Sequence, residues 1–210
     1  EFLVVWTTTP WTLIANVAIV VHPGEQYGRV KVKGSNDVLI IAQKRVKPVL
    51  EESCGLAESD YEVVGTVSGK DLDGVDYEPL VSVVPQQEEL AKVGKAHKVK
   101  LSIVVLAHKK YKKHKMKEET SSAGQGVNEE KNKVAIGEKN SPAGQAKLEA
   151  PPEEEEFEEF VTMSEGSGCV HCAPGHGQTD FLFGKHYGLP VVSPVDEHGV
   201  FTKLGGMFEG

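Results

Sequence analysis

Cysteine is scarce in this chain. Cys54, Cys169 and Cys172 are the whole complement, too few for a disulfide framework, so they read as thiols of a reducing compartment. No apolar run approaches the roughly 20 residues that a membrane-spanning helix needs, and no membrane partner is expected. The opening EFLVVWTTTP lacks the basic flank and cleavage site of a secretory signal; it starts as if in mid-strand and reads as a piece of something longer. Aromatics supply 7% of the residues, and both tryptophans fall inside one short stretch, WTTTPWT, from Trp6 to Thr12. An excess of positive charge is missing too, the formal net charge being −8. Much of that deficit sits in EAPPEEEEFEE, between Glu149 and Glu159, and the remainder is close to neutral. Charge therefore neither supports nor excludes a nucleic-acid partner.

What is present suits one globular domain: 210 residues, 39% of them hydrophobic, are enough to bury a real core. Short β-branched runs at 2–8, 17–21, 27–33 and 38–41 predict strands, punctuated by HPGEQ and GSND. Residues 43–53 have a helical pattern ending at Gly55, with Pro48 either in the first turn or at a kink. A strand over 61–67 leads into the turn-rich GKDLDG, and 98–106 alternates as a single strand. Composition then shifts. HKKYKKHKMK is basic, and the following residues are rich in Glu, Ser, Gly, Asn and Lys. Residues 107–156 lack the apolar content for a core and predict a disordered, low-complexity insertion. Its basic part reads as a solvated linker, with a nucleic-acid arm or localisation signal as the alternative.

Order returns with strands over 157–163 and 169–173, the tight loop PGHG, and a helix over 179–187 stopped by Gly188 and Pro190. Asp180 falls in that helix's first turn, where the dipole favours a carboxylate. VVSPVDEHGVFT reads as two short strands around a turn, which makes Asp196, Glu197 and His198 turn residues rather than a catalytic group. The expected fold is mainly β with peripheral helices: a β-barrel-like core in which 1–106 and 157–210 form one domain.

Two clusters carry candidate chemistry. In the first, strand alternation would send Thr7 and Thr9 to one face and Trp6 and Thr8 to the other, with Pro10 ending the ladder. Hydroxyls at such an edge can hold a water or an ester carbonyl; the competing explanation is a strand that favours threonine. The second, GSGCVHCAPGHGQTD, runs from Gly166 to Asp180 and packs two cysteines, two histidines, an aspartate and four glycines together. Cys169, His171, Cys172 and His176 suggest a zinc-binding or redox module. Yet no second ligand pair completes a zinc site of usual spacing, and the CxxC does not open a helix after a strand. A site for a small polar ligand fits better, with glycines letting backbone approach closely and Asp180 meeting an ammonium group. A satisfied histidine and a helix-capping aspartate are the bland alternatives.

Together, these clusters resemble the signature segments of the editing domain inserted in isoleucyl-tRNA synthetases. The family run TTTPWTLPANxAxxVxP is matched by TTTPWTLIANVAIVVHP. The later run G[TS]GxVHxAPGHGxxDFxxGxxYGLPVxxPVD is matched almost continuously from Gly166 to Asp196, and VVGTVSGKDLDGVDYEPL resembles the stretch that links them. The resemblance covers about 1–85 and 157–210. Sister valyl and leucyl enzymes carry TTRP at residues 7–10, and Lys or Met in place of His171. Two positions depart from the pattern: Ile14 replaces a usual proline, and Cys172 fills a variable position, so the CxxC reads as accidental.

The resemblance implies a fold of the editing type and an ester hydrolase acting on valyl-tRNA(Ile), with valyl-adenylate as a second candidate substrate. A methylene in a hydrophobic pocket is worth only about 1–3 kcal/mol, and isoleucyl enzymes facing valine are the standing illustration of that limit. By resemblance, Asp180 binds the α-ammonium, and His171 borders the side-chain pocket and excludes isoleucine. Thr7, Thr8 and Thr9 contact the terminal adenosine and hold the reacting water, with Thr12 beside them and Trp6 as a wall. No cofactor and no metal is implied. The implied partners are the aminoacylated 3′ end of tRNA(Ile) and the remainder of the synthetase, in a monomer. The default location is the cytoplasm, with a eukaryotic organelle as the alternative. The HIGH and KMSKS signatures of the synthetic site are absent, and KMKEE does not qualify. The remaining alternative is a tRNA-binding appendage that has lost its editing site.

Overall fold

The computed structural model describes residues 1–82, 84–106 and 157–210; the expected insertion at 107–156, with its basic arm, lies outside them. The described residues all belong to one compact unit. In its first sheet, strands β1 (Phe2–Leu3), β4 (Val38–Ala42), β3 (Gln26–Val32) and β5 (Tyr61–Ser68) lie side by side in that order. β1 runs parallel to β4, and the other pairs are antiparallel. A second sheet sets β2 (Ala18–Val21) between a parallel β6 (Lys98–Leu101) and an antiparallel β9 (Cys169–Cys172). β7 (Val104–Leu106) and β8 (Phe157–Glu159) pair antiparallel. Helices α1 (Pro85–Val93) and α2 (Gln178–Tyr187) complete a mainly β fold with peripheral helices. Among the described residues the ladders stay in three sheets rather than one closed ring. No described helix is long and apolar enough to cross a membrane.

β2 is the central strand, and its composition follows from that place. Ala18 and Val20 belong to a core with Leu90, Ala96, Phe183 and Leu189, whereas Ile19 and Val21 belong to another with Tyr27, Ile40, Leu72 and Val99. Alternate residues face opposite ways, and a strand buried on both faces reads as an unbroken apolar run. Each such valine contributes about 1.5–3 kcal/mol relative to an exposed one.

Several elements depart from expectation for local reasons. The strand over 2–8 stops at Leu3. Thr7 Oγ1 accepts from the Thr9 amide at 3.0 Å, a local turn that competes with a ladder. Pro10, which has no amide to donate, then opens a 3₁₀ turn, Pro10–Ala15. The single strand over 98–106 breaks at Ser102, whose amide reaches the Val21 carbonyl while its hydroxyl accepts from the Val161 amide. The strand over 157–163 ends at Glu159. Residues 43–53 form two pieces, with Pro48 opening the second. The last strand pair reduces to one bridge, Val195 to Phe201, around a turn held by Asp196 Oδ1, which accepts from the His198 and Val200 amides. α1 is an addition that the apolar pattern does not announce, because two of its three buried residues are Gln86 and Gln87.

Candidate functional site

The two chemical clusters, far apart in the chain, face one another. A pocket of about 550 Å³ is lined by Trp6, Thr7, Thr8, Thr9, Trp11 and Thr12 on one side. The segment from Gly166 to His171, with His176 and Asp180, lines the other. Trp6, Thr7, Thr8, Thr9, Thr12, His171 and Asp180 all line this pocket, whereas Cys172 does not, and Thr12 and His171, 159 positions apart, are joined at 2.8 Å. Trp6 and Trp11 remain 51% and 56% exposed at its mouth, an unusual exposure for the two largest side chains.

The threonines share their hydroxyls. Thr7 Oγ1 lies 3.3 Å from Thr9 Oγ1, which lies 3.3 Å from Thr12 Oγ1. Thr7 and Thr9 thus fall together, as alternation predicts, although a turn rather than a ladder brings them there. Thr8 lines the same pocket instead of facing away from it.

His171, 8% exposed on β9, has both ring nitrogens engaged, and its tautomer follows from its partners. Asn16 Nδ2 donates to the Ala18 carbonyl at 3.1 Å, which fixes the orientation of the amide. The same nitrogen lies 3.0 Å from His171 Nδ1, so Nδ1 accepts and the ring proton sits on Nε2. Nε2 donates to Thr12 Oγ1, and Thr12 donates onward to the Thr9 carbonyl at 2.8 Å. Burial, followed by the neighbouring His176, holds His171 down at about 4, so at neutral pH the ring is uncharged.

Asp180 stands at the start of α2. Its Oδ2 accepts from the Ala173 amide at 3.0 Å, and no described cation lies within ion-pair distance. Burial lifts its carboxyl to about 6 against the opposing pull of that amide. A half-buried carboxylate without a cation, at a pocket lined by hydroxyls, suits a ligand that brings its own positive charge. His176 Nε2 is buried and has no hydrogen-bond partner among the described residues. Glu165 adds an exposed carboxylate at the rim.

The alternative zinc or redox site does not form. Cys169 and Cys172 lie on opposite faces of β9, one in each core, and burial pushes both thiols up, Cys169 to about 12. Among the described residues no group of three or more His, Cys, Asp or Glu is placed to hold a metal ion.

Backbone geometry holds the far wall. Gly168 has φ +79°, and a Cβ there would lie 2.3 Å from that of Ala42, so no other residue fits. Its carbonyl accepts from Tyr27 Oη at 2.7 Å, and Arg45 Nε donates to the Gly166 carbonyl at 2.8 Å. Behind the near wall stand residues that sequence inspection does not single out. Tyr77 Oη donates to Asn16 Oδ1 at 2.5 Å. Gln87 Nε2 donates to the Ile14 and Asn16 carbonyls, and Gln87 Oε1 accepts from His97 Nε2 at 2.5 Å. Asn16 lies within TTTPWTLIAN and Tyr77 within DYEPL, but neither residue by itself signals its distant partner.

No family model matches the chain. It is similar to isoleucine–tRNA ligases of several organisms. That of Methanopyrus kandleri is 35% identical over 210 residues, covering 99% of this chain and 14% of the relative. That of Moorella thermoacetica is 33% identical over 209 residues (99% and 15%), and that of Thermococcus kodakarensis 34% over 206 (97% and 14%). The chain thus spans only about a seventh of the length of these relatives. These relatives are aminoacyl-tRNA synthetases, and the chain's place is with that class. Within that class it belongs, as one segment, to the isoleucine–tRNA ligase family.

Proposed function

We propose that the chain is a hydrolytic editing domain that cleaves the ester of valyl-tRNA(Ile), with valyl-adenylate as a second candidate substrate. The observation that carries this reading is the meeting of the threonine cluster and Asp180 across one pocket. Asp180, with no cation among the described residues in reach, anchors the α-ammonium. The hydroxyls of Thr7, Thr8 and Thr9 orient the ester carbonyl and the attacking water, and Trp6 flanks the terminal adenosine. Thr12 belongs to this wall and holds His171 in place. His171 borders the side chain and sets its size.

Neither the threonines nor His171 is a strong base: the hydroxyls are not activated, and both imidazole nitrogens are occupied. Catalysis therefore rests on positioning. Water adds to the carbonyl, the ester C–O bond breaks, and the departing ribose oxygen takes up a proton, with the neighbouring ribose hydroxyl as relay. The rest of the ligase grips the body of the tRNA.

The test supplies valyl- and isoleucyl-tRNA(Ile) to the ligase that carries this chain and follows loss of each ester. Valine is expected to leave faster. Asp180→Ala should slow valine loss about 100-fold, the cost of a misplaced substrate. Background loss of both esters from the unsubstituted ligase would refute the reading.

A further inference from the structure

A second cavity, of about 820 Å³, lies behind the site, and among the described residues His171 alone is common to the linings of both. Its walls are mainly apolar, with Leu13, Ile19, Ile40, Leu72 and Tyr77 among them. Register explains the arrangement. Ile19 is the cross-strand partner of His171, so both project from the same face of the sheet toward that cavity. The other edge of the ring meets Thr12, which belongs to the substrate pocket.

We propose that His171 is a partition between the substrate pocket and this apolar chamber, latched shut by Tyr77 through Asn16. The inference rests on the editing reading and deepens it by naming what holds His171 in place and what lies beyond it. The latch is a chain of single-purpose bonds. Tyr77 Oη donates to Asn16 Oδ1; Asn16 Nδ2 donates to the Ala18 carbonyl and His171 Nδ1; His171 Nε2 donates to Thr12. Gln87 holds the Asn16 carbonyl from behind, so Asn16 cannot shift to follow the ring. With both ring nitrogens engaged, the imidazole is held in one orientation between the two linings. Tyr77 touches no reacting atom in this scheme; it is a positioning residue.

Two substitutions in the ligase test it, read as a ratio of rates. Tyr77→Phe keeps the ring and removes the one hydroxyl that anchors Asn16. The ratio of valyl to isoleucyl ester cleavage should fall about tenfold, the weight of one buried hydrogen bond, because isoleucine cleavage rises. General damage to the fold would lower both rates together and leave the ratio where it was, and that result overturns the latch. His171→Ala opens the chamber itself, so chemically charged phenylalanyl-tRNA(Ile) should be cleaved along with isoleucyl-tRNA(Ile). Cleavage of isoleucine with phenylalanine left at background would mean that no chamber is joined, and overturns the partition. If the unsubstituted ligase spares valine as well, the editing reading falls and this inference with it. If it releases valine and Tyr77→Phe keeps the ratio, this inference falls alone.

Discussion

At Asp180 burial and hydrogen bonding pull in opposite directions, and burial wins, leaving the carboxyl near 6. Only its ionised form can hold an ammonium group, so free protein loses its anchor as pH falls through that value. The kcat/KM for valyl-ester cleavage should therefore show an acid limb near pH 6, since this parameter reports the free enzyme. The limb of kcat should lie lower, because a bound ammonium favours the carboxylate. A pH–rate series measures both, and coincident limbs would count against an ammonium at Asp180. Gly168 makes a prediction of another kind. Its positive φ and its closeness to Ala42 leave no room for a methyl group. Gly168→Ala should cost at least about 2 kcal/mol in denaturant unfolding, since positive-φ strain and overpacking each cost on the order of 1–3 kcal/mol.

Among the elements, α1 shows most plainly how polar side chains can do the work of a hydrophobic face. Gln87 is fully buried with three partners: the Ile14 and Asn16 carbonyls and His97. Gln86 is also buried, yet its Oε1 has no partner among the described residues. Leaving one buried polar group unsatisfied costs about 1–3 kcal/mol, so Gln87→Leu, which strands three, should lower stability by about 3 kcal/mol or more. Gln86→Leu removes an unsatisfied oxygen and should be neutral or stabilising. Urea midpoints for the two variants decide the matter, and equal shifts would contradict it. The same glutamines explain why this helix is hard to read from sequence: two of its three buried residues are amides, so no apolar period marks it. β2 to β5 were legible because β-branched residues and turn sequences announce them. The ends of the threonine and 98–106 strands were not, because Thr7 and Ser102 divert single hydrogen bonds. Both halves of the site were legible as clusters of chemically able residues. Asn16, Tyr77 and Gln87 were not, since each is one polar residue whose meaning depends on a partner far along the chain.

For the molecule as a whole, His171 and Asp180 bend the dependence of stability on pH in opposite directions. His171 titrates at about 4 when folded against 6.5 when unfolded, so between those values the unfolded chain binds the extra proton and stability falls as pH falls. Asp180 titrates at about 6 when folded against 3.8 when unfolded, so across nearly the same interval the folded chain binds the extra proton and stability rises as pH falls. Each term is worth on the order of 3 kcal/mol at 1.36 kcal/mol per unit, and between pH 4 and 6 they largely cancel. His97 and His176, which burial also holds down, add acid sensitivity of their own, so the informative quantity is a difference between variants. Asp180→Asn should leave the His171 term unopposed. Relative to the unsubstituted protein, it should lose on the order of 3 kcal/mol more between pH 7 and 4, the size of the Asp180 term it deletes. His171→Gln keeps an amide donor for Thr12 and deletes the opposite term, and its stability should change the other way over the same interval. Urea unfolding at pH 7 and pH 4 measures all three proteins. Parallel changes would mean that neither group is buried as described, and the pocket would lose the low-dielectric character on which the proposed ammonium anchor and His171 partition both depend.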